Sequence, residues 1–162
     1  MAELGRAARS PAAVYFTGGV TAILYAWRES TIDIDLKIVP DSDELLRALP
    51  RLKESLGLNV ELAAPDQFIP KVPGWRDRSP FIAQEGLLSF FHYDLYSQAL
   101  SKIERGHSQD QGDVRHMLES GLVHPDKLLE LFRLIEPALY KYPAIDPASF
   151  RKRVLEAVGS DL

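Results

Sequence analysis

The chain has 162 residues, 46% hydrophobic and 26% charged, with a net charge of −4 and a pI near 5.6. That length is one ordinary domain, or one core with a small helical extension, and the composition excludes a disordered or fibrous chain. The acidic balance excludes an overall basic field for nucleic acid or anionic lipid, the absence of cysteine excludes disulfides and thiolate chemistry, and no apolar run approaches the ~18 residues of a membrane span. The four histidines (His92, His107, His116, His124) never form an HExxH pair. The amino terminus lacks a hydrophobic signal core, so a soluble cytoplasmic protein is expected.

Residues 1–10 read as a short helix, apolar at Leu4 and Ala8. Val14-Tyr15-Phe16-Thr17 is a buried strand stopped by Gly18-Gly19, and Val20, Ile23, Leu24 and Trp27 carry helical spacing over residues 20–28. Residues 31–38 alternate strictly: Ile32, Ile34, Leu36 and Ile38 face one way, Asp33, Asp35 and Lys37 the other. A helix over 41–57 follows, with a box-like Asp41…Glu44 start, five leucines inside, Gly57 as its stop, and Pro50 predicting a kink or a second short helix. Residues 58–63 alternate again, Leu58, Val60 and Leu62 opposite Asn59 and Glu61. The stretch 65–80, with four prolines plus Trp75, Arg76 and Arg78, is an irregular loop. A hairpin around Glu85-Gly86 comes next. From Tyr93 the pattern is helical: residues 94–104, 110–120, a helix opened by Pro125, and 146–158. The division is therefore a core over 1–92 and a helical region over 93–162.

One constellation has a direct chemical use. Two glycines after a strand let backbone approach a ligand closely, and the helix behind them offers free N–H groups to an anion. Asp33 and Asp35, two residues apart on one strand face, stand roughly 6–7 Å apart at the backbone. Their carboxylates can serve one or two Mg²⁺ ions, which in two-metal phosphoryl chemistry sit about 3.5–4 Å apart. Two like charges on a strand repel, and a cation relieves that repulsion. Taken alone, Asp-x-Asp also marks the solvent face of an edge strand; the upstream Gly-Gly favours the metal.

Phe16-Thr17-Gly18-Gly19, then 13 residues, then Asp33-Ile34-Asp35-Leu36 resembles the signature of the DNA polymerase β-like nucleotidyltransferase superfamily. The fuller run through Arg28-Glu29-Ser30-Thr31-Ile32 is similar to its DUF6036/AbiEii-like branch, many of whose members belong to toxin–antitoxin or phage-defence modules. The resemblance spans residues 14–118. It implies an α+β fold: a small mixed β-sheet core with flanking helices, followed by a C-terminal helical bundle packed on it. It also implies a third carboxylate on a later strand between apolar neighbours, which Val60-Glu61-Leu62 supplies; Asp66 competes from a turn. Lys102-Ile103-Glu104-Arg105-Gly106 with Asp110 and Asp113 resembles a family stretch that follows the catalytic sheet, with Gln109 where the family carries Arg. There Lys102 would reach nucleotide phosphates and Asp113 would orient a basic group; an amphipathic helix capped by Asp110 explains the same residues.

The resemblance thus implies Asp33, Asp35 and Glu61 as catalytic metal ligands for two Mg²⁺ ions. Gly18, Gly19, Arg28, Thr31 and Lys102 would be the nucleotide contacts. Arg28 also suits a helix C-terminus, and Ser30 and Thr31 suit backbone capping. Trp75, Arg76 and Arg78 suit either a base-stacking lid or a loop anchor. The implied activity is transfer of NMP from an NTP to a hydroxyl, on a tRNA end or a partner protein, in a toxin–antitoxin or defence setting. The alternative is a catalytically inactive binding or regulatory protein of antitoxin type. No membrane partner is expected, and the leucine stripe after Pro125 reads as core, with any exposed remainder available to a homodimer.

Overall fold

The apolar run before the glycine pair becomes the middle strand of a five-stranded sheet. In the computed structural model, which describes residues 1–159, β1 (Ala12–Thr17) pairs antiparallel with β2 (Asp33–Val39). β3 (Asn59–Leu62) adds parallel to β2; β4 (Phe81–Glu85) lies antiparallel to β5 (Leu88–His92), and β5 lies parallel to β1. The order is β3-β2-β1-β5-β4, a mixed sheet within an α+β fold. Parallel neighbours need a crossover, and α3 (Asp43–Leu56) supplies the one from β2 to β3. α1 (Ala2–Ala7) precedes β1, and α2 (Gly19–Leu24) joins β1 to β2.

Alternation sorts the sheet into two faces. Val14, Phe16, Leu36, Ile38, Val60, Leu88 and Phe90 form the core face, covered by Leu4 of α1 and Leu45 and Leu49 of α3. α3 runs unbroken through Pro50, because losing one N–H donor on the exposed side is outweighed by the two leucines buried on the other. Its N-cap is Ser42, whose Oγ accepts from the Leu45 amide at 3.4 Å, rather than the expected Asp41.

Two expectations fail at the approach to β2. The strand begins at Asp33, and Ile32 is 69% exposed instead of joining the core face. α2 ends at Leu24, short of Arg28, because the chain turns left-handed at Ala26 (φ 65°). The Ala26 and Trp27 amides donate to the carbonyls of Ile23 and Ala22, a Schellman closure built on alanine rather than glycine.

The chain falls into two compact units. Met1–Ala64 and Ser79–Tyr93 make the first; Pro65–Arg78 and the described residues from Asp94 onward make the second. The proline-rich loop thus belongs with the helices, although the expected boundary at 92/93 placed it with the sheet. Residues 160–162 of the expected helical region lie outside the described residues. The second unit holds α4 (Leu95–Arg105), α5 (Ser108–Glu119), α6 (Pro125–Ile135) and α7 (Pro147–Val158). α4 touches each of the other three and the short 3-10 turn at Pro65–Gln67. The stripe of Leu128, Leu131, Phe132 and Ile135 is buried, with Phe132 edge-on to Phe150 of α7 at 4.9 Å; Leu134 is left 55% exposed. Among the described residues no helix is long and apolar enough to cross a membrane.

Candidate functional site

The sheet face opposite the core carries the acids. Residues paired in register on adjacent strands point the same way, and Asp35 pairs with Glu61 on β3 and Thr17 on β1, while Asp33 pairs with Asn59. Asp33, Asp35, Asn59 and Glu61 therefore share one face at the β2–β3 edge. Asp33 and Glu61 are exposed and Asp35 half-buried. The Asn59 side-chain amide donates to Asp33 Oδ1 at 3.0 Å and to Glu61 Oε1 at 3.1 Å. One nitrogen thus draws two carboxylates together, supplying the partial positive charge that two neighbouring anions require. Asn59 is not singled out by sequence as a site residue; its alternation onto the face of Glu61 is the one signal it carries, and its amide role has no sequence motif.

Each glycine of the pair answers to a named neighbour. Gly18 sits at φ 64°, ψ −127°, backbone that a side chain rarely permits. A Cβ there would lie 3.2 Å from Asp35 Oδ2, so bare backbone runs beside that carboxylate. At Gly19 a Cβ would come within 2.5 Å of Thr31 Oγ1 and 2.9 Å of Thr31 Cβ. That close approach seats Thr31, whose Oγ1 accepts from the Asp33 amide at 3.2 Å and donates to the Asp33 carbonyl at 3.1 Å. Thr31 thereby fixes the first residue of the acidic strand. Arg28 is half-buried beyond the end of α2, and Lys37 shares the acidic face one step further along β2.

Behind the glycine loop, His92 Nδ1 and Thr21 Oγ1 are 3.0 Å apart, and the Tyr25 ring lies 4.7 Å from the imidazole. Burial pushes the His92 pKa down to about 4, so the ring is neutral at pH 7. Burial also raises the Tyr25 pKa.

The remaining basic candidates belong to the helical unit. Lys102 is 8% exposed and its Nζ donates to Asp110 at 3.2 Å and Asp113 at 2.8 Å. Arg105 grips Asp110 with two bonds, 2.7 and 2.6 Å. Burial alone would raise the Asp110 pKa, but Arg105 and Lys102 together hold it below the usual carboxylate value. Lys102 therefore locks α4 to α5. Trp75 is buried at 5% and anchors its loop. Arg78 is taken up by Asp94, at 3.1 and 2.8 Å, and by the Pro73 carbonyl; Arg76 lies over the Trp75 ring at 5.3 Å.

Three carboxylates on one sheet face, two exposed and one half-buried, are oxygen donors of the kind a hard divalent cation prefers. Among the described residues, however, no three such groups converge closely enough to hold a metal; the Asn59 amide occupies the attention of Asp33 and Glu61 instead. No curated protein and no solved structure matches the chain. A family model described as a nucleotidyltransferase of unknown function (DUF6036) matches residues 1–143. The match takes in the glycine pair and the acidic strand, and the chain belongs to the DUF6036 nucleotidyltransferase family.

Proposed function

We propose that the protein transfers NMP from an NTP to a hydroxyl acceptor with the help of Mg²⁺. The observation that carries this reading is the register of β2 against β3. It sets Asp35 beside Glu61, and Asp33 two residues along, on one sheet face next to the bare backbone of Gly18. Asp33, Asp35 and Glu61 would hold two Mg²⁺ ions, which supply charge neutralisation and a more acidic acceptor hydroxyl. Gly18 leaves room for phosphate oxygens beside Asp35, Gly19 lets Thr31 fix the start of the acidic strand, and Arg28 offers the phosphates a cation. The acceptor oxygen bonds to the α-phosphorus as the α–β bridging bond breaks and pyrophosphate leaves, a reaction dominated by positioning and charge. A tRNA end or a protein hydroxyl suits this chemistry as acceptor. The AbiEii-like kinship and the toxin–antitoxin or defence setting belong to the same reading and rest on the sequence resemblance.

Incubation with each labelled NTP, Mg²⁺ and cell extract tests it: label moves to RNA or protein with the wild type and not with Asp35→Asn. Transfer at the wild-type rate by Asp35→Asn overturns it. A second reading, an inactive binding or regulatory protein, is favoured by the Asn59 bridge and the unconverged carboxylates. Calorimetry separates the two, since Mg²⁺-dependent NTP binding is required by the first and absent from the second.

A further inference from the structure

Away from the acidic face, on the side of the sheet covered by α1 and α3, a groove of about 330 Å³ is lined by Arg6, Arg9, Glu44, Arg47 and Arg51, with Ala7 and Ala48 between them. All four arginines are exposed, in a chain whose net charge is −4. The sequence places Arg47 and Arg51 at i, i+4 on α3, where like charges destabilise a helix. α1 lies close because Gly5 meets the β4 turn directly: a Cβ there would stand 2.7 Å from the Glu85 carbonyl oxygen. The small Ala7 and Ala48 leave the long arginine side chains standing around a shallow depression. Arg6 is shared with Glu3. Glu44, the one acid in the groove, is bonded to Ser42 Oγ at 2.6 Å, and that bond first, with Arg9 and Arg47 helping, holds its pKa low. With Glu3 on Arg6, two carboxylates thus stand against four guanidinium groups. Asp41 and Asp43 border the adjoining depression, so the positive patch is bounded and compact.

We infer that this groove is a second anion site, for closely spaced phosphate groups carried by a polyphosphate or by adjacent phosphodiesters of RNA. Planar, permanently charged arginine forks match phosphate oxygens two at a time, and an anion between them relieves the repulsion that the sequence builds in. The site is independent of the acidic face and of its chemistry.

Calorimetry with inorganic tripolyphosphate at low salt, in EDTA so that no metal assists the acidic face, tests it. The wild type and Asp35→Asn should bind alike, R47Q/R51Q about tenfold or more weaker, and K127Q/K152Q, which removes two positive charges elsewhere, unchanged. No binding by the wild type, undiminished binding by R47Q/R51Q, or an equal loss in K127Q/K152Q overturns the site. A single-stranded RNA decamer forms the second arm: tighter, arginine-dependent binding assigns the phosphates to a strand, weaker binding to a polyphosphate. A heptaglutamate peptide that binds more tightly than either overturns the phosphate assignment in favour of an acidic protein.

Discussion

Two clusters of aspartate in this chain obey opposite electrostatic rules. On the sheet, Asp33 and Glu61 are exposed and bridged by a neutral amide, with Asp35 half-buried on the same face. In the helical unit, Asp110 and Asp113 are buried at 3% and 5% and each is met by cations at hydrogen-bond distance. A buried anion must find its counter-charge within the fold; an exposed one can wait for a ligand. The contrast separates acid motifs used for structure from acid motifs available for binding, and it does so by burial and partner rather than by spacing.

The largest expected effect tests the buried side. Lys102→Met leaves Asp113 without its lysine partner inside the fold and should cost about 3–5 kcal/mol in urea unfolding. Asp33→Asn on the sheet should stay within about 0.5 kcal/mol of the wild type, since it removes one of several like charges at an exposed site. Comparable losses at the two positions would erase the distinction.

pH separates the regions further. His92 titrates near 4 when folded and near 6.5 when unfolded, so the unfolded chain binds the extra proton between those values. Stability from the neutral, buried ring is present above pH 6.5 and lost as pH falls toward 4, about 3 kcal/mol in all. Asp110 shifts in the same direction but from a lower starting value: its contribution is present above the ordinary carboxylate value and is lost only as pH falls through its lowered folded value. The sheet unit should therefore soften first on acidification. His92→Gln should flatten the stability curve between pH 6.5 and 4, and an undiminished slope in that variant would assign the loss elsewhere.

A smaller effect sharpens the exposed side. Asn59→Asp replaces the bridging amide with another carboxylate, costing about 1 kcal/mol without metal. Mg²⁺ should then raise the melting temperature of Asn59→Asp more than that of the wild type, because a ligand stabilises the state it binds. Equal Mg²⁺ responses would mean that this face does not gather around a cation.

The acidic strand was legible because alternation and the glycine pair are local signals: Asp33, Asp35 and Asn59 with Glu61 fall on their faces by parity alone. Which strands pair is not local, so the register that sets Asp35 beside Glu61 needed the fold. Lys102 matched a motif yet lies in a buried lock, because nothing in its spacing records that Asp110 and Asp113 fold back one turn away. Trp75 and Arg78 suit a lid and a loop anchor equally by sequence, because aromatic and basic residues in a loop serve stacking on a base as well as anchoring; the burial of Trp75 and the bond of Arg78 to Asp94, sixteen residues on, are those of an anchor. Ile32 kept perfect alternation and still left the strand, since the Thr31 side chain, not hydrophobicity, sets where β2 begins.

The last contrast concerns how helices end in the two units. α4 closes on Gly106 at φ 71°, where glycine is at ease, but α2, beside the acidic face, closes on Ala26 at φ 65°. An L-residue in that conformation costs roughly 1–2 kcal/mol, partly offset because alanine restricts the unfolded chain more than glycine does. Ala26→Gly should therefore stabilise the protein by only about 0.5 kcal/mol, measured by urea unfolding. Its second consequence is more telling. Ala26 turns the chain toward Arg28 and Thr31, so if the strained turn holds those residues for the nucleotide, Ala26→Gly gains stability while Mg²⁺-dependent NTP binding weakens. A gain in stability with binding unchanged would make the alanine a plain cap, no different in kind from Gly106.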